Sequence, residues 1–176
     1  MLSHSNRYDG IASFTRFILG RDWLGGWLMP QRSSYFAISL PKGWWIFGLD
    51  HGLETDIDID QFNFFANVAS KFVKESDSIV ILNHEPAWVI EADAGKQGKP
   101  HEKNVRELID HHLQGKVRLR IAGDLHHYTR HVPLEKKKSD KSSSINLSSQ
   151  LAPQLIVSGG GGAFLHGTHT FAVRNI

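Results

Sequence analysis

The 176-residue chain contains no cysteine. Disulfides and thiolate zinc sites are thereby excluded, although the absence assigns no compartment. An excess of one charge is missing as well: 20 Lys and Arg stand against 18 Asp and Glu, for a net charge of +2. Net charge therefore gives no case for nucleic acid or an anionic membrane surface as a partner. Long apolar runs are lacking, and none approaches the length needed to span a bilayer. The opening Met1-Leu2-Ser3-His4-Ser5 has no apolar core of the kind a signal peptide needs. Localisation stays open on these grounds.

With 40% hydrophobic and 22% charged residues, the composition is that of an ordinary globular protein, and the length suits one domain. Histidine is the outlier, with 11 copies, and imidazole is the commonest metal-ligating side chain.

The periodicity predicts an α/β protein. Asp9 can cap a short helix over Gly10 to Leu19 that stops at Gly20. The stretch Trp23 to Pro30 reads as an aromatic loop broken by Gly25 and Gly26. Tyr35–Leu40 and Trp44–Leu49 read as a hairpin across Pro41-Lys42-Gly43. A helix is expected over Asp60 to Lys74, with Phe62, Phe65, Ala69 and Phe72 on its packing stripe. Asp58 and Gln61 resemble a capping box at its start. Strand Ser78–Leu82, a loop with Gly95, Gly98 and Pro100, helix His101–Leu113 and strand Val117–Ala122 form a crossover unit. Further strands are expected over Tyr128–Leu134 and Leu155–Val157. The polar run from Glu135 through about position 150 reads as a mobile surface loop.

Two motifs at strand exits carry the chemistry. Asn83-His84-Glu85-Pro86 follows the first strand of the crossover unit, and Gly123-Asp124-Leu125-His126-His127 follows the second. Parallel strands would bring both exits to one sheet edge, where ligands of open α/β sheets collect. Pro86 holds Glu85 extended and stiffens that turn. On an extended segment, Asp124 and His126 would face the same side. Carboxylate with imidazole suits zinc, manganese or iron better than calcium. A lone His at a strand end more often bonds a backbone carbonyl, so the metal reading rests on the combination. Other candidates have simpler readings: His111-His112 as a solvated helix end, Asp56, Asp58 and Asp60 as helix caps, and Ser158 to Gly162 as a tight packing segment. His166 and His169 have metal-like spacing without an evident partner.

The order His84-Glu85-Pro86, then Gly123-Asp124-Leu125-His126, resembles the last two metal motifs of the calcineurin-like metallophosphoesterases. Tyr8-Asp9-Gly10, Trp23-Leu24-Gly25-Gly26-Trp27, Gln61 through Phe65 and Ser158 through Leu165 resemble a plant and bacterial branch of that family. The resemblance implies the C-terminal portion of a two-sheet αββα sandwich, spanning 1–176 as a single, N-terminally truncated domain. It implies metal-dependent phosphoester hydrolysis, with His84, Asp124 and His126 as ligands to a divalent Mn, Zn or Fe ion. In that pattern His84 and Asp124 would share one ion and His126 would hold the other. Asp124 stands where the family more often has His. Ser3-His4-Ser5-Asn6 does not match the family's third motif, and the first two motifs are absent.

An impaired enzyme is therefore expected, acting on a phosphoester of unknown identity. The alternative is a truncated or degenerate domain that acts as a binding module, with a partner or a missing N-terminal segment over an exposed sheet edge. An unrelated hydrolase using one metal on the same three residues is a third reading.

Overall fold

A computed structural model describes residues 12–51, 56–94, 101–133 and 152–161. The expected loop over 135–150, the Gly95–Pro100 loop, the segments around Ser3–Asn6 and Asp9, and His166 and His169 lie outside the described residues. The chain divides into two compact units, Met1–Phe36 and Ala37–Ile176.

In the first unit, a π-helical turn at Thr15–Leu19 ends at Gly20, whose N–H donates to the Thr15 carbonyl while the Arg21 N–H donates to that of Ile18. The next stretch is not the irregular loop expected. It forms a small hairpin of β1 (Trp23–Leu24) and β2 (Trp27–Leu28). Gly25 and Gly26 form its turn at φ 57° and 91°, the left-handed conformations that a two-residue hairpin turn of this kind demands. Arg32 fastens the base, bonding the Leu19 and Arg21 carbonyls and the Asp22 carboxylate.

The second unit is built on a six-stranded sheet in the order β3-β4-β5-β6-β8-β7. Its strands are β3 (Phe36–Leu40), β4 (Trp44–Gly48), β5 (Ser78–Asn83), β6 (Val117–Ala122), β7 (Tyr128–His131) and β8 (Gln154–Ser158). Strands β4, β5, β6 and β8 run parallel to one another, and β7 returns antiparallel along β8. The α/β class and the parallel pairing of the crossover unit are as the sequence predicts.

Register sorts the side chains into two faces. Phe47, Ile81, Arg120 and Leu155 align across one of them, as do Asn83, Ala122 and Val157. Helices cover this face: Phe47 stacks on Phe65 of α1 (Ile59–Phe72) at 5.1 Å, and the Arg120 guanidinium lies over Trp88 of α2 (Ala87–Ala94) at 5.1 Å. The other face carries Ile46, Val80, Leu82, Leu119, Ile121 and Ile156, all half-buried. An α/β sheet apolar on both faces and helix-covered on one is one half of a sandwich. The expected fold class stands on that arrangement.

Helix details differ from the periodicity in instructive ways. The α1 stripe is Gln61, Phe65 and Ala69, while Phe72 points to solvent at 62% exposure. Helix α2 directly follows Pro86, where only a loop was expected. The Pro86 carbonyl accepts from the Val89 and Ile90 N–H groups, and the run Ala-Trp-Val-Ile-Glu-Ala needs no further start signal. The helix expected over 101–113 is α-helical only through α3 (Lys103–Glu107), then π-helical over Leu108–Leu113.

The acidic residues before α1 are caps, as expected, but across unexpected distances. Asp58 accepts from the Gln61 N–H at 2.8 Å. Asp56 instead caps α3 through space, accepting from Asn104 N at 2.6 Å and Val105 N at 3.2 Å. The Gln61 side chain also does more than box a cap. Buried, it accepts from Asp50 N at 3.0 Å and donates to Asp50 O at 2.6 Å, fixing the exit of β4.

Replacing Gln61 by Ala leaves both Asp50 backbone groups without that partner, and a loss of about 2–4 kcal/mol is expected. Asp58→Ala removes one cap bond and should lose about 1 kcal/mol. Urea unfolding of the two variants checks the order; equal losses would contradict the clamp.

Candidate functional site

Because β4, β5 and β6 are parallel neighbours, their carboxyl ends share one edge. Each is followed by a residue able to bind a metal or move a proton: His51 after β4, His84 after β5 and Asp124 after β6. The last two are stitched together through the backbone. The Gly123 N–H donates to the His84 carbonyl at 2.9 Å, which sets the two turns side by side. His84 Nε2 and Asp124 Oδ1 are 3.8 Å apart, with both side chains exposed. In water such a pair contributes little stability, so the geometry says more about what it can hold.

The segment after β6 is not extended. Asp124 adopts φ 57°, and the Leu125 and His127 N–H groups turn back to the carbonyls of Gly123 and Leu125. The alternation that would face Asp124 and His126 together is lost. His126 lies in this coiled segment, and among the described residues no three His, Asp or Glu groups form a set able to hold one ion. The structure thus brings His84 and Asp124 within 3.8 Å of one another, and among the described residues no third group completes a set with them. Gly159 shapes the same segment: a Cβ there would meet the Leu125 carbonyl oxygen at 2.1 Å. That close approach supports the packing reading of the glycine run at this position.

Beneath the exposed pair is a buried polar cluster that sequence reasoning missed. Glu102, at the start of α3, is only 3% exposed. Its carboxylate accepts from Arg120 of β6 at 2.6 Å and from the Asn83 amide at 3.2 Å. Asn83 also donates to the Glu85 carbonyl, so this network braces the turn that carries His84. The His51 Nε2 faces Glu102 Oε1 at 3.8 Å, beyond hydrogen-bond distance. Burial pushes the His51 imidazole down, with Asp56 and Glu85 pulling the other way. Burial pushes the Glu102 carboxyl up, opposed by the charge and hydrogen bond of Arg120.

Signals for this cluster were present. His51 exits a strand just as His84 does. Arg120 is a cation inside an apolar strand, on the face that β5 buries, where a charge needs a partner.

The comparisons with known proteins give the fold a counterpart. No protein-family model matches the chain, and no curated protein matches it. Among solved structures, a purple acid phosphatase, PPD1 from yellow lupin (Lupinus luteus) seeds, is similar over 85% of this chain, with a TM-score of 0.54 and 17% sequence identity. The likeness is one of fold. It spans 27% of the lupin chain.

The described residues fit an ion in part: His84 Nε2 and Asp124 Oδ1, 3.8 Å apart, share one ion at about 2.0–2.2 Å each in tetrahedral geometry after closing by a few tenths of an ångström. They supply a pair and not a closed set.

Removing Arg120 should be severe, because it leaves the Glu102 carboxylate buried without its cation. Arg120→Met is expected to lose about 3–5 kcal/mol, and Arg120→Met with Glu102→Leu to regain most of it. Urea unfolding measures both; a double variant as unstable as the single one would contradict the pairing.

The lowered His51 pKa has a definite sign. Below about pH 6.5 the unfolded imidazole takes up a proton that the folded one resists, so His51 lowers stability as pH falls through that value. The stability gap between the wild type and His51→Gln should therefore shift against the wild type from pH 8 to pH 5.5. A gap independent of pH would contradict a buried, neutral His51.

Proposed function

We propose that this chain carries a metal-dependent phosphoester hydrolase domain of the calcineurin-like type, and that the chain as it stands has weak activity. One observation carries the reading: His84 and Asp124 meet at the carboxyl edge of adjacent parallel strands, in a fold similar to that of a purple acid phosphatase. The likeness supports a phosphoesterase-like fold, and the order of the sequence motifs supports the chemistry.

The roles of the residues follow from their positions. His84 and Asp124 would hold one divalent transition ion. His126 is the sequence candidate for a second. The Asn83–Glu102–Arg120 network would keep the His84 turn from wandering when a phosphate group pulls on the site. A bound ion supplies two things to this reaction class: it lowers the pKa of a water nucleophile and offsets charge on the phosphoryl oxygens. Two ligands from described residues make a fragment of such a site, which is why weak turnover is expected. The substrate is a phosphoester whose remaining structure the residues do not specify.

A binding module is the second reading. The half-buried apolar face of the sheet favours it, because such a face is suited to another layer of protein.

Titration calorimetry with Mn(II) and Zn(II), alongside an aryl phosphate assay, tests both. The hydrolase reading predicts specific binding of one ion that is lost in His84→Ala and in Asp124→Ala, with slow turnover lost in the same variants. Absence of binding would overturn the metal assignment in favour of the binding module. Fast turnover abolished by His84→Ala would overturn the claim of weak activity.

A further inference from the structure

Among the described residues, large exposed apolar side chains are concentrated in the first unit. Trp27 is 80% exposed, Trp23 63%, Leu28 61% and Phe17 50%. The hairpin pairs Trp23 with Leu28 and Leu24 with Trp27. Neighbouring residues on a strand point to opposite sides, so each side of the ribbon presents one Trp and one Leu. All four are exposed. A patch made to dock on a protein would be apolar on one side. A narrow ribbon that is apolar on both sides suits surroundings that are apolar all round.

Cations lie just before the hairpin in the sequence. The Arg16 and Arg21 guanidinium groups lie over the Phe17 ring at 5.4 Å and 6.0 Å. Among the described residues neither forms an ion pair, whereas Arg32 is neutralised by Asp22 at 2.7 Å. Net charge gives no case for an anionic surface, but two guanidinium groups over the exposed Phe17 ring, a few residues before the exposed Trp pair in the chain, do. Tryptophan favours the headgroup level of a bilayer, and Arg is drawn to anionic headgroups there. The base of the ribbon is rigid: Arg32 ties the Leu19 and Arg21 carbonyls to Asp22, and Met29 N bonds Asp22 O at 2.8 Å. Among the described residues no helix is long and apolar enough to cross a membrane.

We infer that the Trp23–Leu28 hairpin, with Arg16 and Arg21 beside it, docks on the interface of anionic phospholipid membranes without spanning them. The full chain should sediment with phosphatidylcholine vesicles containing phosphatidylglycerol, and on the order of tenfold less with phosphatidylcholine alone. Binding should fall on the order of tenfold or more in Trp23→Ser/Trp27→Ser, and about fivefold per charge in Arg16→Gln and Arg21→Gln. Lipids brominated near the headgroup should quench the wild-type tryptophan emission. In Trp23→Phe/Trp27→Phe, which keeps the apolar ribbon, binding should persist while most of that quenching is lost. Quenching of the unsubstituted chain covers the case in which the Ser variant fails to fold. Failure to bind anionic vesicles would overturn the inference. So would binding indifferent to all four residues, or a self-associating chain whose dimer, rather than vesicle binding, depends on Trp23 and Trp27.

Discussion

The Glu102 carboxylate is the contact on which the site edge depends. It belongs to the start of α3, yet it joins Arg120 on β6 to Asn83 at the end of β5 and faces His51 beyond β4. One buried carboxylate thus bonds a helix start to two adjacent strands and faces the residue beyond a third. Charge burial of this kind is tolerated only with a close cation and further hydrogen bonds, and Arg120 and Asn83 provide both. Asn83 then passes the constraint to the Glu85 carbonyl, next to His84. The exposed pair above can vary in its own rotamers, but the backbone that presents it is held from below.

A second constraint is the register of the parallel strands. It places Asn83 opposite Ala122, so the residues just beyond each are neighbours, and the Gly123 to His84 backbone bond completes the step. The same register divides buried from half-buried side chains. Helices occupy the face with Phe47, Ile81 and Arg120, and the face with Ile46, Val80 and Leu119 stays partly open. The resemblance to a two-sheet sandwich and the likeness to the lupin phosphatase agree on this half of the architecture.

Much of this was legible in the sequence where a local rule decides the outcome. Apolar runs gave the strands β3 to β6, and Asp58 marked the start of α1. The juxtaposition of His84 with Asp124 followed from strand, helix, strand. Elsewhere a longer-range contact won. Asp56 belongs by sequence to α1 and by bonding to α3. Gln61 looked like a cap partner and is also a clamp on Asp50. Asp124 at φ 57° ended the extended alternation on which the pairing of Asp124 with His126 rested, and no periodicity rule foresees a left-handed residue that is not glycine. His51 and Glu102 escaped notice because burial, and not spacing, makes them matter.

The proposed hydrolase reading rests on one ion shared by His84 and Asp124 at the carboxyl edge. Crystals soaked in Mn(II), with anomalous scattering recorded near the manganese edge, address it most directly. A peak within bonding distance of both His84 Nε2 and Asp124 Oδ1 is expected. A peak bound elsewhere, or none at this pair, would contradict it.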